Sequence, residues 1–190
     1  MERDGAAAIV LVTVGTDHHP FRRLVAWADH YVHSRPEGEI DLVCQHGTAD
    51  PPSSGAHHPW VEHDELQRLI HRSTAIVCHG GPSTVLEILR SGRIPIVVPR
   101  RQHLGEAIDD HQVEFCQFLL RRREVVVADT ERELHDALDL ARSDPSAFVA
   151  PQSSFGSSSS ASRESSVSRF ADLASRLVPR RRARLLRRIR

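Results

Sequence analysis

Residues 75–98 read AIVCHGGPSTVLEILRSGRIPIVV, a strand, a glycine turn, a helix and a second strand in twenty-four positions. Ala75-Ile76-Val77-Cys78 is an apolar run of the kind buried on both faces of a parallel sheet, and Gly80-Gly81 after it let the chain turn sharply. Pro82 suits the first helical position, where a missing N–H costs nothing. The amides of Ser83 and Thr84 then stand unpaired at the positive end of the helix dipole, beside two small hydroxyls, which favours a phosphate or diphosphate. Val85, Leu86, Ile88 and Leu89 form the packing face, Gly92 ends the helix, and Ile94-Pro95-Ile96-Val97-Val98 returns as a strand with Pro95 near its start.

Glu87 has two readings. One turn into the helix, it lies within reach of a group attached to that phosphate. Thr84-x-x-Glu87 is also the spacing of a capping box, in which the glutamate bonds the helix start. The choice depends on where the helix begins: if Pro82 is its first residue, Thr84 is already inside and is not the cap.

Outward from this stretch, strand and helix patterns alternate. Ile9 to Val14 reads as the first strand, Gly15-Thr16-Asp17-His18-His19-Pro20 as the turn after it, and Pro20 to His33 as a helix buried through Phe21, Leu24, Val25, Ala28 and Val32. Ile40 to Cys44 is a second strand, residues 49–59 a loop rich in Pro and Ser, and Asp64 to His71 a short helix. Beyond the central stretch, His103 to Leu120 reads as mostly helical, Val125 to Val127 as a strand, and Thr130 to Ala141 as a helix capped by Thr130 and Glu133. Five or six strands alternating with helices predict an α/β, Rossmann-like parallel sheet with helices on both faces. Right-handed crossovers would bring the loops at 15–20, 45–48, 79–84 and 99–112 to one edge, where open α/β sheets bind ligands.

Residues 1–144 therefore predict one domain, 145–166 a Ser-rich flexible linker, and 167–190 an amphipathic helix running into an Arg-rich end. The chain has 25 basic residues, all Arg, against 25 acidic ones. Seven of the Arg lie in 180–190, so the remainder is acidic by seven charges. Arg180 to Arg190 suits an anionic membrane surface better than nucleic acid, since the body is acidic and poor in aromatics that would stack on bases. Cys44, Cys78 and Cys116 are odd in number and set in apolar runs, which predicts reduced thiols in a cytoplasmic protein. The His18-His19 and His57-His58 pairs lie at adjacent positions, whose side chains usually point apart, and no Cys-x-x-Cys or His-x-x-x-His pair occurs, so no metal is expected. The apolar run from Ala6 to Val14 is too short to span a bilayer and no cleavage site follows it.

Val12-Thr13-Val14-Gly15-Thr16, His79-Gly80-Gly81-Pro82-Ser83-Thr84-x-x-Glu87, Ile96-Val97-Val98-Pro99-Arg100-Arg101 and Gly105-Glu106-x-x-x-Asp110-His111-Gln112 occur in that order. Together they resemble the carboxyl-terminal, nucleotide-sugar-binding half of glycosyltransferase family 28, across roughly residues 9–142. Pro82 departs from the family pattern, where a small residue is more usual. The resemblance implies half of a GT-B fold and a UDP-sugar donor. Gly15, Thr16, Gly80, Gly81, Ser83 and Thr84 would surround the diphosphate, Glu87 would accept the ribose hydroxyls, and Asp110, His111 and Gln112 would face the sugar. In length the chain resembles the small subunits of two-part transferases of dolichol-linked and bacterial exopolysaccharide synthesis. In these a membrane-anchored partner holds the acceptor, which implies work at the inner face of the membrane. Inverting transfer needs a base, and His18 or His19 is the candidate, as base or phosphate contact. The rival expectations are a non-catalytic nucleotide-binding regulatory subunit and a basic-tailed nucleic-acid adaptor.

Overall fold

A computed structural model describes residues 7–150. The expected linker beyond 150 and the amphipathic Arg-rich end lie outside the described residues.

Six parallel strands form one sheet: β1 (Ala8–Thr13), β2 (Ile40–Gln45), β3 (Ala56–His58), β4 (Ala75–His79), β5 (Ile96–Val98) and β6 (Val126–Val127), in the order β3-β2-β1-β4-β5-β6. Five helices accompany them: α1 (Arg22–His33), α2 (His63–Arg72), α3 (Pro82–Arg90), α4 (His111–Arg121) and α5 (Glu131–Ser143). The chain builds outward from β1 to β3, then returns to the other side of β1 and builds outward again through β4. The reversal falls between β1 and β4. By the general rule for open α/β sheets, this reversal marks the carboxyl edge between the loops after β1 and β4 as the place of a ligand crevice.

The side chains of β1 alternate between two apolar layers. Val10, Val12 and Val14 join the cluster with Leu24, Val25, Ala28 and Tyr31 of α1 and Leu134, Leu138 and Ala141 of α5. Leu11, buried between them in sequence, faces the opposite layer, as do Ile76 and Cys78 of β4. Between α1 and α5 the Tyr31 hydroxyl donates to Asp139 at 2.8 Å, and Arg35 pairs with the same carboxylate. Thr130 and Glu133 form the reciprocal capping box at the start of α5.

Three expectations are corrected. Residues 49–59 contain the edge strand β3, bonded in register to Val43–Gln45, although all three of its residues are exposed. His103 to Leu120 is not one helix. A 3-10 turn at Gln102–Leu104 ends at Gly105, whose φ of 69° ends that turn, and α4 starts only at His111. The Ser-rich segment does not begin as free linker: Phe148 is buried, Ile94 donates to its carbonyl at 2.8 Å, and the amide of Ala150 bonds Gly92 at 2.9 Å. Gly80 and Gly81 turn the chain from β4 into α3 without a left-handed φ. Gly81 has φ −74°, and the reason for both glycines lies in what packs against them.

Candidate functional site

The loop after β1 forms one wall of the crevice and is held from below. Gln45, the last residue of β2, accepts from the Thr13 hydroxyl at 2.7 Å and the Gly15 amide at 3.1 Å, and donates to the Gly15 carbonyl at 2.9 Å and to Pro59 at 3.1 Å. Gly15 has φ 77°, where a side chain is strained, and a Cβ there would lie 2.3 Å from the His79 ring. Its amide is committed to Gln45, so Gly15 supplies a turn and a gap. Thr16 follows it, exposed at the rim.

His79 ends β4 directly beneath both loops. A Cβ on Gly81 would fall 2.1 Å from its Nε2, so the ring occupies the space that side chains at 15 and 81 would need. Its Nδ1 is buried without a hydrogen-bond partner, and burial, reinforced by the nearby Arg100 cation, pushes its pKa down to about 4. The ring is neutral at physiological pH.

The other wall is the start of α3. Gly81 is the N-cap, Pro82 the first helical residue, and no side chain caps the helix. The first helical bond runs from Val85 to the Gly81 carbonyl at 3.1 Å, leaving the amides of Ser83 and Thr84 ahead of it. Thr84 is therefore inside the helix, which rules out the capping box and frees Glu87 from the helix start. The Glu87 side chain, 21% exposed, instead meets His63 Nδ1 at 3.1 Å and the Gln67 amide.

Arg100, after β5, braces the floor. Fully buried, it donates to the carbonyls of Val14 at 2.8 Å, His19 at 2.6 Å and Glu106 at 2.9 Å, with the Phe21 ring 4.7 Å from its guanidinium carbon. A guanidinium can send several donors in fixed directions, which suits it to tying three backbone segments at once. Glu106, also buried, takes a two-point bond from Arg23 at 2.8 and 2.7 Å and accepts the Arg101 amide at 3.0 Å. The segments after β1 and β5 are thus locked to each other.

Asp17, His18 and His19 form a group in the loop after β1. Adjacent histidines were expected to diverge, but their ring centroids lie 3.9 Å apart. One residue brings them together: Asp17 Oδ1 accepts the His19 amide at 2.8 Å and the His19 ring Nδ1 at 2.6 Å, and stands 3.6 Å from His18 Nδ1. Burial raises the Asp17 pKa, but the bonds from the His19 amide and ring and the Arg100 charge outweigh it, so the carboxyl sits below its usual range. An ionised carboxylate on Nδ1 fixes the imidazole with Nε2 as its basic atom. The three residues place one ligand atom each within 4.8 Å of one another, a spacing compatible with a metal ion, but the Asp17 oxygen is already bonded to His19, and the group as it stands is a carboxylate–histidine dyad.

The sequence model of the glycosyltransferase family 28 C-terminal domain matches residues 9–176. The chain belongs to that family. A UDP-N-acetylglucosamine transferase subunit ALG13 from Yarrowia lipolytica is 33% identical over 65 residues, which is 34% of this chain and 31% of that protein. Among solved structures, the glycotransferase of kitacinnamycin superposes with TM-score 0.58 at 21% identity, covering 77% of this chain and 38% of the other. Acinetobacter baumannii MurG superposes with TM-score 0.51 at 19% identity, covering 77% and 44%. At those identities the likeness is one of fold, and the chain spans less than half of each of these proteins.

Within this family 28 domain the three residues expected to face a sugar lie at the start of α4. Gln112 lies against the crevice: its Cβ is 3.1 Å from where a Cβ on Gly80 would be, and its side-chain oxygen accepts the Arg100 amide at 3.4 Å. Cys116 lies even closer to that position, at 2.6 Å, so α4 rests directly on Gly80. Asp110 accepts the Gln102 amide at 3.0 Å and His111 pairs with Asp109 at 2.5 Å, so both shape the turn into α4. Asp17, Gln45, His79, Arg100 and Gln67 were not anticipated. His79 and Arg100 stand inside the recognised motifs, but nothing in a sequence marks a histidine or an arginine for burial. Gln45, at the end of an apolar strand, was the one legible signal, because a polar residue there must find partners.

Proposed function

We propose that this family 28 domain binds a UDP-sugar and catalyses inverting transfer of the sugar to a hydroxyl of a lipid-linked or polysaccharide acceptor held by a partner subunit. The observation that carries the reading is the reversal of strand order between β1 and β4, which brings the loop holding the Asp17–His19 dyad and the uncapped start of α3, with Glu87 one turn in, to the same edge of the sheet. The diphosphate lies against the amides and hydroxyls of Ser83 and Thr84 beside Thr16, Glu87 accepts from the ribose, and Gln112 reaches the sugar. The acceptor oxygen attacks the anomeric carbon as the bond to the β-phosphate breaks. The proton of the acceptor passes to His19 Nε2, and the electron pair leaves on UDP. Amides fixed at a helix start stabilise that leaving charge as it grows, so the scheme requires no metal. The name of the Yarrowia relative supports a UDP-linked donor and an assembly of more than one chain. No described helix is long and apolar enough to cross a membrane, and in this reading the partner supplies the anchorage at the cytoplasmic face, helped by the Arg-rich end.

Calorimetric titration of UDP, UMP and ADP into the chain and into Glu87→Ala tests the proposal. UDP should bind tightest, and the variant should lose about tenfold or more in affinity, the loss of a charge-assisted bond. Equal binding of UDP and ADP, or an unaffected variant, would reject it.

A further inference from the structure

His63 and Gln67 lie at i and i+4 on α2, so they share one face of that helix. Both reach the same atom, Glu87 Oε1: His63 through Nδ1 at 3.1 Å and Gln67 through its amide nitrogen. Neither donor falls on Oε2. His63 is 72% exposed and its contact is open to solvent screening, whereas Gln67 is half-buried between α2 and α3. A glutamate side chain has several rotatable bonds, and the freedom lost in making a directed bond weakens binding unless it is lost beforehand. A neutral amide on one carboxylate oxygen removes that freedom while leaving the negative charge in place for a hydroxyl donor. A lysine or arginine in the same place would neutralise it.

We infer that Gln67 is a positioning residue for the donor nucleotide: it turns Glu87 so that Oε2 meets a ribose hydroxyl, making ribose recognition depend on α2. The inference rests on the reading of Glu87 as the ribose-binding group. It also ties ribose to diphosphate, because the chain enters α2 from Pro59, whose carbonyl is held by the same Gln45 amide that holds Gly15.

The test is calorimetry of UDP and 2′,3′-dideoxy-UDP with the full chain, Gln67→Leu, Gln67→Glu, Glu87→Gln and the Gln67→Leu/Glu87→Gln double variant. The wild type should prefer UDP. Gln67→Leu should weaken UDP by about tenfold while dideoxy-UDP changes by less than about twofold, and should cost nothing further once Glu87 is already Gln. Gln67→Glu, which sets a like charge against Glu87, should lower the preference for UDP at least as far. Equal weakening of both ligands by Gln67→Leu means that Gln67 merely supports the fold and overturns the inference, as does an unchanged preference. A wild type that binds both ligands equally overturns the ribose reading of Glu87 itself, and with it the role of Gln67.

Discussion

Acidification should loosen this protein through His79 in particular. The ring lies beneath Gly15 and Gly81 with Nδ1 unpartnered, and its pKa is about 4 when folded against the ordinary 6.5. Above pH 6.5 the ring is neutral whether the chain is folded or not, and titration contributes nothing. Between 6.5 and 4 the unfolded chain takes up a proton that the folded chain refuses, so stability falls as pH falls; below about 4 the folded ring protonates too and the loss levels off. Integrating from pH 7.5 to 4.5 gives a loss of about 2–3 kcal/mol from this one residue, a large share of a typical domain's stability. Other histidines and carboxylates titrate over the same range, so the quantity to measure is a difference. Urea unfolding of the wild type and of His79→Gln at matched pH values isolates it, and the gap in unfolding free energy should close or reverse by about 2–3 kcal/mol on going to pH 4.5. A gap constant within about 0.5 kcal/mol would refute the reasoning, and would mean that Nδ1 has found a partner or that the ring leaves its pocket.

Further predictions concern the groups around that ring. Gly81→Ala leaves an ordinary backbone but drives a Cβ into the imidazole, and should destabilise by about 1–3 kcal/mol; combined with His79→Ala, the loss should be smaller than the sum of the two single losses, read from urea midpoints. Arg100→Met strands three carbonyls and should cost about 3–5 kcal/mol in the same assay, with Arg100→Lys recovering little because an ammonium cannot match three fixed directions. Asp17→Asn should lower kcat of the assembled transferase by about a hundredfold or more while UDP affinity holds within about threefold, since it alters the tautomer of His19 and not the nucleotide site.

The sequence shows the sheet wherever a strand is buried on both faces, as in β1, β4 and β5. It hides β3, whose exposed Ala56, His57 and His58 join the edge mainly through backbone bonds, so the apolar pattern carries no trace of it. The opposite error arises at Leu104 and Ile108, apolar residues that suggest a helical face yet stand exposed in the turn before α4. Phe148 is overlooked because its Ser- and Pro-rich surroundings have the composition of a linker, while one buried ring is enough to dock the segment. At the site, the uncapped helix start and Glu87 are readable from local spacing. The braces from Gln45, Arg100 and Glu106 are not, because each joins segments thirty or more positions apart or depends on burial that only the folded chain defines.

The loop after β1 has no slack. Gln45 holds Gly15 at both its amide and its carbonyl, and Arg100 holds the carbonyls of Val14 and His19. A loop fastened in this way does not fold over an arriving nucleotide. Capture then becomes a docking event, with an association rate governed by diffusion and charge instead of a gating step. In the proposed reading, whatever shuts the reacting sugar away from water must then be brought by the partner surface that comes to face this edge.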